Sequence, residues 1–321
     1  NSIYMNDASV TEELNNASRG FSNGPTVVAY KRAIDIMKDN LEVDIQILAT
    51  PGIRNRVVTD YAIAAIEGDR FDCFYIFDLE EKDLDNQTVT TAQQNVSITN
   101  TINNFRERGL DSSFAATYFP DVVMRDDINQ TVEKVPPSIA VLGAIAFNDS
   151  VGHPWFAPAG FNRASLKTVR NAAIPLSREN LDDLYSERIN PIVAFNGSTP
   201  VIWGQKTVKA TVGSSLERIN VRRMLLAARR EVKKVSNQVV FEPNRSETLS
   251  KFKALVDPIL KRIQDQGGVT NYKVDIDTST TTEADVENKI IRGIVSVAPV
   301  KTLEFLSLEF TISNRGSFSG V

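Results

Sequence analysis

The residues best suited to hold a charged partner lie between Leu216 and Lys234, where seven basic side chains meet two glutamates in a chain whose formal net charge is -4. Arg218, Arg222, Arg229 and Lys233 stand at offsets 0, 4, 11 and 15, which is one stripe of a helix, and Arg223, Arg230 and Lys234 flank it. Val221, Met224, Leu225, Ala228, Val232 and Val235 gather on another side. The spacing predicts a helix with one face for a core and one for an anionic surface. A solvated outer face rich in Arg and Lys is the competing reading. Nucleic acid is disfavoured, because the chain is slightly acidic and no aromatic residues interleave the basic ones.

A second candidate is the acidic run DLEEKDLD, from Asp78 to Asp85, which follows the apolar segment FDCFYIF. It falls just past the carboxyl end of a predicted strand, where open α/β sheets place ligand sites. Metal binding or acid–base chemistry there would make the chain an α/β hydrolase or a nucleotide-binding enzyme. A solvated acidic loop is favoured instead, because no histidine, second motif or Gly-rich phosphate cradle accompanies it. Gly204-Gln205-Lys206-Thr207 has the look of a phosphate loop, but the GxxxxGK spacing fails. His153, the single histidine, sits in an HPW turn with no nucleophile motif and reads as structural. Cys73, the single cysteine, reads as a small buried hydrophobe, and no disulfide within the chain is possible.

These residues need a scaffold, and 321 residues with 42% apolar content can supply one. No apolar run of about 18 residues and no signal-peptide pattern occurs. Residues 1–24 are polar and Asn-rich and read as an arm or loop. From Thr26, taken as a helix cap, helices and strands alternate. A helix carries Val28, Ile34 and Met37, and residues 41–48 form a strand. Then come a helix at 53–66, a strand at 71–77, a helix at 92–108 and a strand at 114–119. This pattern predicts an α/β fold over residues 25–151, a mostly parallel sheet with flanking helices. A hairpin is expected within 121–134, and Pro136-Pro137 opens a helix at 138–147.

The aromatic and proline-rich connector at 152–160 is the expected boundary, and residues 152–321 read as an α+β carboxyl-terminal domain ending in a long strand. Ser177 caps a helix that Asn190-Pro191 ends. Short strands at 192–195 and 199–203 lead to the basic helix. Asn244 with Glu247 forms a capping box for the next helix, which Pro258 is placed to kink and Gly267-Gly268 to stop. Strands at 272–276 and 290–297 follow, with a short helix at 283–288 between them. In the last strand, 302–313, Leu303 and Phe305 share one face before Leu306, Leu308, Phe310 and Ile312 take over the alternation. That change of parity predicts a bulge. Such a strand either completes its own sheet or pairs with the sheet edge of another subunit.

Trp203-Gly-Gln-Lys-Thr, then Arg218-Ile-Asn-Val-Arg-Arg-Met, then Phe241-Glu-Pro-Asn resemble, in order and spacing, the carboxyl-terminal half of the contractile-tail sheath proteins of bacteriophages. Upstream, His153-Pro-Trp-Phe-Ala-Pro-Ala-Gly is similar to the family's Trp-(any)-Ala-Pro-Ala-Gly segment. The likeness is close from about Pro136 onward and general before it. It implies a structural subunit that forms six-subunit rings stacked helically around a tail tube, with a baseplate and a tail terminator as further partners. It also implies a place in the virion tail, assembly in the host cytoplasm, and contraction that drives the tube through the host envelope. No cofactor, metal or catalysed reaction is implied, and neither nucleic acid nor membrane is expected as a partner. On this reading Arg218, Arg222, Arg229, Lys233, Arg230 and Lys234 face the tube, and Leu306, Leu308, Phe310 and Ile312 form the inter-subunit strand. The chain starts at Asn1-Ser2 without an initiator Met, so an extended amino-terminal arm of the kind the family uses is expected to be missing.

Overall fold

Runs of five consecutive buried residues can only be accommodated in strands covered on both faces, and two such runs build the centre of the molecule. Phe74–Asp78 (β2) and Ala115–Phe119 (β3) are buried throughout. They pair in parallel, with Tyr75 opposite Ala115, in a five-stranded sheet of order β1-β2-β3-β7-β8. Here β1 is Ile47–Ala49, β7 is Asn190–Val193 and β8 is Val201–Ile202. The first four strands are parallel, and β8 adds an antiparallel edge. The computed structural model describes residues 10, 12–13, 24–89, 95–126, 128–211, 213–243, 245–277, 280–302 and 304.

The α/β reading therefore holds for the first half, with differences that have physical causes. The strand expected at 41–48 shrinks to β1, because the Arg70 guanidinium takes the carbonyls of Val43 and Ile45 that a ladder would need. Helix α1, Pro25–Lys38, starts one residue before Thr26, with proline in its first turn. Glu13, not Thr26, satisfies its amino terminus by accepting the N–H groups of Thr26 and Val27 at 2.9 and 3.0 Å. Asn55 caps α2, Arg56–Ala65, and Ser97 caps α3, Ile98–Glu107. The expected hairpin is present as β4, Val122–Asp126, and β5, Thr131–Val135, and β6, Val169–Ala172, adds to it as a third antiparallel strand. Helix α4, Pro137–Val151, runs longer than expected and packs on β2 and β3.

Ser177 and Asn180 form a complete capping box at the start of α5, Arg178–Ser186. Asn190-Pro191, expected to end a helix, instead opens β7. The division expected at residue 152 runs through the first sheet, since β7 and β8 come from residues beyond it. A second apolar core forms where Trp155, Met224, Ala228, Leu249, Val256, Leu260 and Ile263 meet. Its helices are α6, Ile219–Ser236, and α7, Ser246–Asp265. Helix α7 continues through Pro258, and Gly267 follows it with φ of 75°. Asn244 of the expected capping box lies outside the described residues. The remaining strands, β9 (Val269–Asp275) and β10 (Ile294–Pro299), form a two-stranded antiparallel sheet, with α8, Glu283–Glu287, between them in sequence.

Helix α6 ties the two cores together. Ile219 and Leu226 enter the first, while Met224 and Ala228 enter the second. Its predicted apolar side is the one used, with Leu225, Val232 and Val235 packed around the second core.

Candidate functional site

The acidic run at the carboxyl end of β2 is committed to structure. Both oxygens of the buried Asp78 are occupied: they accept the backbone N–H of Gly52 and Ser138, each at 3.0 Å, and the Ser138 hydroxyl at 2.8 Å. Burial pushes its carboxyl above the ordinary range, against the pull of the nearby Arg54 charge. Arg54, only 3% exposed, donates to both oxygens of Asp121 at 2.8 Å and to the carbonyl of Leu79, and lies 3.7 Å from Glu81. Burial alone would lower the Arg54 pKa, but Asp121, Glu81 and Asp78 together raise it. Lys134 closes the cluster at 3.2 Å from Asp121 and 3.4 Å from Glu81. Farther along, Asp83 accepts the N–H groups of Asp85 and Gln87 in a tight turn.

These carboxylates hold loops together, which corrects the alternative of an enzyme site at Asp78 to Asp85. Clefts of about 200 and 230 Å³ lie elsewhere, against α6 and against α4. Among the described residues no group of three or more His, Cys, Asp or Glu side chains is placed to hold a metal ion. Cys73 is fully buried, with its thiol pushed up to about 11 by burial, which keeps it protonated and unreactive. His153 stacks on Trp155, ring centroids 4.8 Å apart, as a packing residue.

The basic stripe of α6 divides along its length. Arg218 is the amino-terminal cap residue of the helix and pairs with Glu217 and Glu304 at 3.3 and 3.1 Å. Arg222 donates to the Ser113 hydroxyl and lies over the Phe114 ring, 4.1 Å from its centroid, with its pKa lowered by burial. Arg223 is buried against Asp149. Arg230 pairs with Asp44 at 2.5 Å and donates to the carbonyls of Asp72 and Ile45. Arg229 covers Phe71 at 5.3 Å, and Phe71 meets Phe114 edge to face at 6.3 Å. The stripe thus interleaves with aromatic rings after all, but they come from residues 71 and 114 and not from the helix. Arg229, Lys233 and Lys234 remain exposed, and among the described residues Lys233 and Lys234 form no ion pair.

One constellation escaped the sequence reading. The turn after β8 runs alongside the start of α6: Thr207 N–H donates to the Glu217 carbonyl, and Ile219 N–H donates to the Gln205 carbonyl. This pairing joins the Trp-Gly-Gln-Lys-Thr and Arg-Ile-Asn motifs along one short stretch of backbone. Gly204 is required there, because a Cβ would lie 2.9 Å from Asn190 Oδ1. Gln205, Tyr185 and Arg218 converge on Glu304, at the end of the described chain. Leu306, Leu308, Phe310 and Ile312 lie outside the described residues.

Residues 23–208 match the phage tail sheath protein central domain, and residues 211–313 match the phage tail sheath C-terminal domain. The chain belongs to the phage tail sheath protein family. It is 34% identical over 189 residues to the tail sheath protein of Vibrio phage KVP40, a match covering 59% of this chain and 28% of that protein. To the tail sheath protein of Enterobacteria phage T4 it is 26% identical over 313 residues, covering 94% and 47%. The chain thus spans less than half the length of these two relatives. Its fold is shared with a chain of the anti-feeding prophage baseplate, with a TM-score of 0.69, 24% identity, and coverage of 90% and 73%. It is equally similar to a chain of the PVC sheath complex of an extracellular contractile injection system in its contracted state, with a TM-score of 0.70, 23% identity, and coverage of 88% and 75%.

Proposed function

We propose that the chain is a structural subunit of a contractile sheath, in which copies polymerise in six-subunit rings around a tail tube and contract to drive the tube through the host envelope. The observation that carries this reading is the sheet of β9 and β10. Among the described residues each of its strands has one partner only, which leaves an outer edge of the sheet open to a further strand. A strand supplied by another copy would complete it, and residues 305–321 follow Glu304 with the alternating apolar pattern of Leu306, Leu308, Phe310 and Ile312.

Such a link suits a lattice that must rearrange without coming apart. Backbone hydrogen bonds at roughly 0.5–1.5 kcal/mol each persist while side-chain faces slide, so the strand acts as a tether during repacking. Contraction then needs no cofactor, because the free energy comes from moving a kinetically trapped lattice to a more stable one. The tail tube, baseplate and tail terminator are the further partners of this reading, which places the protein in a virion tail assembled in the host cytoplasm. The tube-facing role narrows from the whole stripe to Arg229, Lys233 and Lys234, since Arg218, Arg222 and Arg230 are engaged within the subunit.

Negative-stain microscopy of the full chain beside a chain ending at Glu304 tests the reading. The full chain is expected to form long tubes, and the shortened chain is expected to stay folded and unassembled. Tubes from the shortened chain would make the terminal strand intramolecular.

A further inference from the structure

The Glu304 carboxylate is gripped from three sides. Its Oε2 accepts from the Tyr185 hydroxyl at 2.7 Å and pairs with Arg218 Nη2 at 3.1 Å, and its Oε1 accepts from Gln205 Nε2 at 3.0 Å. The same Gln205 amide donates to Thr302 Oγ1 at 2.7 Å, so two residues of the terminal segment are held by one side chain. Tyr185 is locked in turn, since Lys206 donates to its carbonyl at 2.8 Å and Arg218 donates to its hydroxyl at 3.2 Å. The gripping groups come from α5, from the turn after β8 and from the start of α6, three separate pieces of chain that the fold brings together.

The charge around Glu304 is equally specific. Burial lowers the Lys206 pKa, and the neighbouring charges of Arg218 and Arg188 lower it further, while Glu217 and Glu304 act in the opposite sense. Three cations against Glu217 alone leave an excess of positive charge that one more carboxylate reduces. The Glu304 side chain fills that place with 18% of its surface exposed. A chain end that served only to trail into solvent would need none of these contacts.

We infer that this pocket is an anchor that fixes the point at which the terminal segment leaves its subunit. The inference rests on the proposal that residues 305–321 are given to a neighbouring copy. A donated strand binds best when its root is already ordered, because less freedom is then lost on association. An anchor at residues 302–304 supplies that order and bears the load when the neighbouring faces slide. Glu304 is therefore a positioning residue, set one step before the strand it serves.

The test measures the critical concentration for polymerisation by sedimentation, together with the melting temperature of the unassembled chain. Glu304→Ala is expected to raise the critical concentration about tenfold, the effect of one lost charge-assisted hydrogen bond. Glu304→Asp is expected to do so less, and Tyr185→Phe, the mildest change, is expected to act in the same direction. The melting temperature should move by no more than about 2 °C in each. If Glu304→Ala and Tyr185→Phe leave the critical concentration unchanged while a chain ending at Glu304 fails to polymerise, strand donation stands and the anchor is wrong. A fall in melting temperature beyond about 5 °C with no separate effect on assembly would make Glu304 a fold-stabilising residue and overturn the anchor as well. A chain ending at Glu304 that polymerises like the full chain removes the donated strand itself, and the anchor with it.

Discussion

At the carboxyl ends of the parallel strands, Arg54 meets Asp121 and Glu81 with almost no surface left to water, whereas along α6 the same kinds of side chain pass from buried to exposed within a single helix. Both clusters are rich in charge, and in a sequence both suggest a site. They differ in what surrounds the charge. The Arg54 cluster is closed by a second cation, Lys134, and by backbone groups of loops that cross the top of the sheet, so its charges are matched inside the fold. Helix α6 uses Arg218, Arg222, Arg223 and Arg230 to bind its own subunit and leaves the last turns uncovered. A charged group that is already matched is architecture, and one left unmatched on an ordered helix is available to a partner.

Removing a cation from each region is the sharpest way to break that comparison, and the largest effect belongs to Arg54. Arg54→Met leaves Asp121 and Glu81 buried with Lys134 as the remaining nearby cation, and is expected to cost about 3–5 kcal/mol in urea unfolding of the unassembled chain. Replacing Arg54 and Asp121 together by apolar residues should recover part of that loss, because no charge of that pair is then stranded. A cost below about 1 kcal/mol for the single change would mean that water reaches the cluster and that it resembles an exposed pair.

How far these roles could be read in the sequence follows from the range of the interactions that set them. Local signals were legible: Ser177 with its helix, the hairpin around residues 122–135, the proline start of α4, and the apolar side of α6 all depend on neighbours a few residues away. The long-range ones were not. Nothing near Asn190 says that its side chain will bridge Thr117 and Lys206, yet that is what draws β7 into the first sheet. Arg222 looks solvent-facing until Ser113 and Phe114 arrive from the bend before β3. Asp78 and Glu81 lie in a run that reads as an open acidic loop, but Gly52, Ser138 and Arg54 supply its partners from distant positions. The ordered motifs around Trp203 and Arg218 carried the resemblance, and the structure pairs them along one short stretch of backbone.

Acid separates the two regions by sign. Asp44 is held below its ordinary pKa of 3.8 by its hydrogen bond to Arg230 and then by that residue's charge. Its contribution to stability is thus complete above the unfolded value and is lost as pH falls through the folded one. Asp78 and Glu81 are shifted upward by burial, so their contribution has the opposite sense: it is present at low pH and is lost as pH rises through the folded pKa. As pH falls from the ordinary value of 3.8 through the lower folded value of Asp44, the contact of α6 with residue 44 should loosen while the top of the sheet stays closed. Hydrogen exchange, corrected for intrinsic rates, is expected to show lost protection near Arg230 and none in β2 or β3. Equal loss in both would contradict the assignment of opposite roles.

The smallest effect on folding is expected at the exposed end of α6, and it is the one that bears most directly on function. Lys233→Glu with Lys234→Glu should change stability by no more than about 0.5 kcal/mol, because both side chains are exposed and neither forms an ion pair among the described residues. Assembly of the chain with itself should persist, while coating of purified tail tube should fall and should lose its sensitivity to salt. Exposed ion pairs worth about 0–1 kcal/mol each are suited to a grip that must release ring by ring yet hold when many rings act together. A single strong pair would resist contraction, and purely apolar contact would lack the salt dependence. Coating that survives the double reversal unchanged would show that the uncovered cations are ordinary solvated surface, and the difference between the two charged regions would then be one of burial alone.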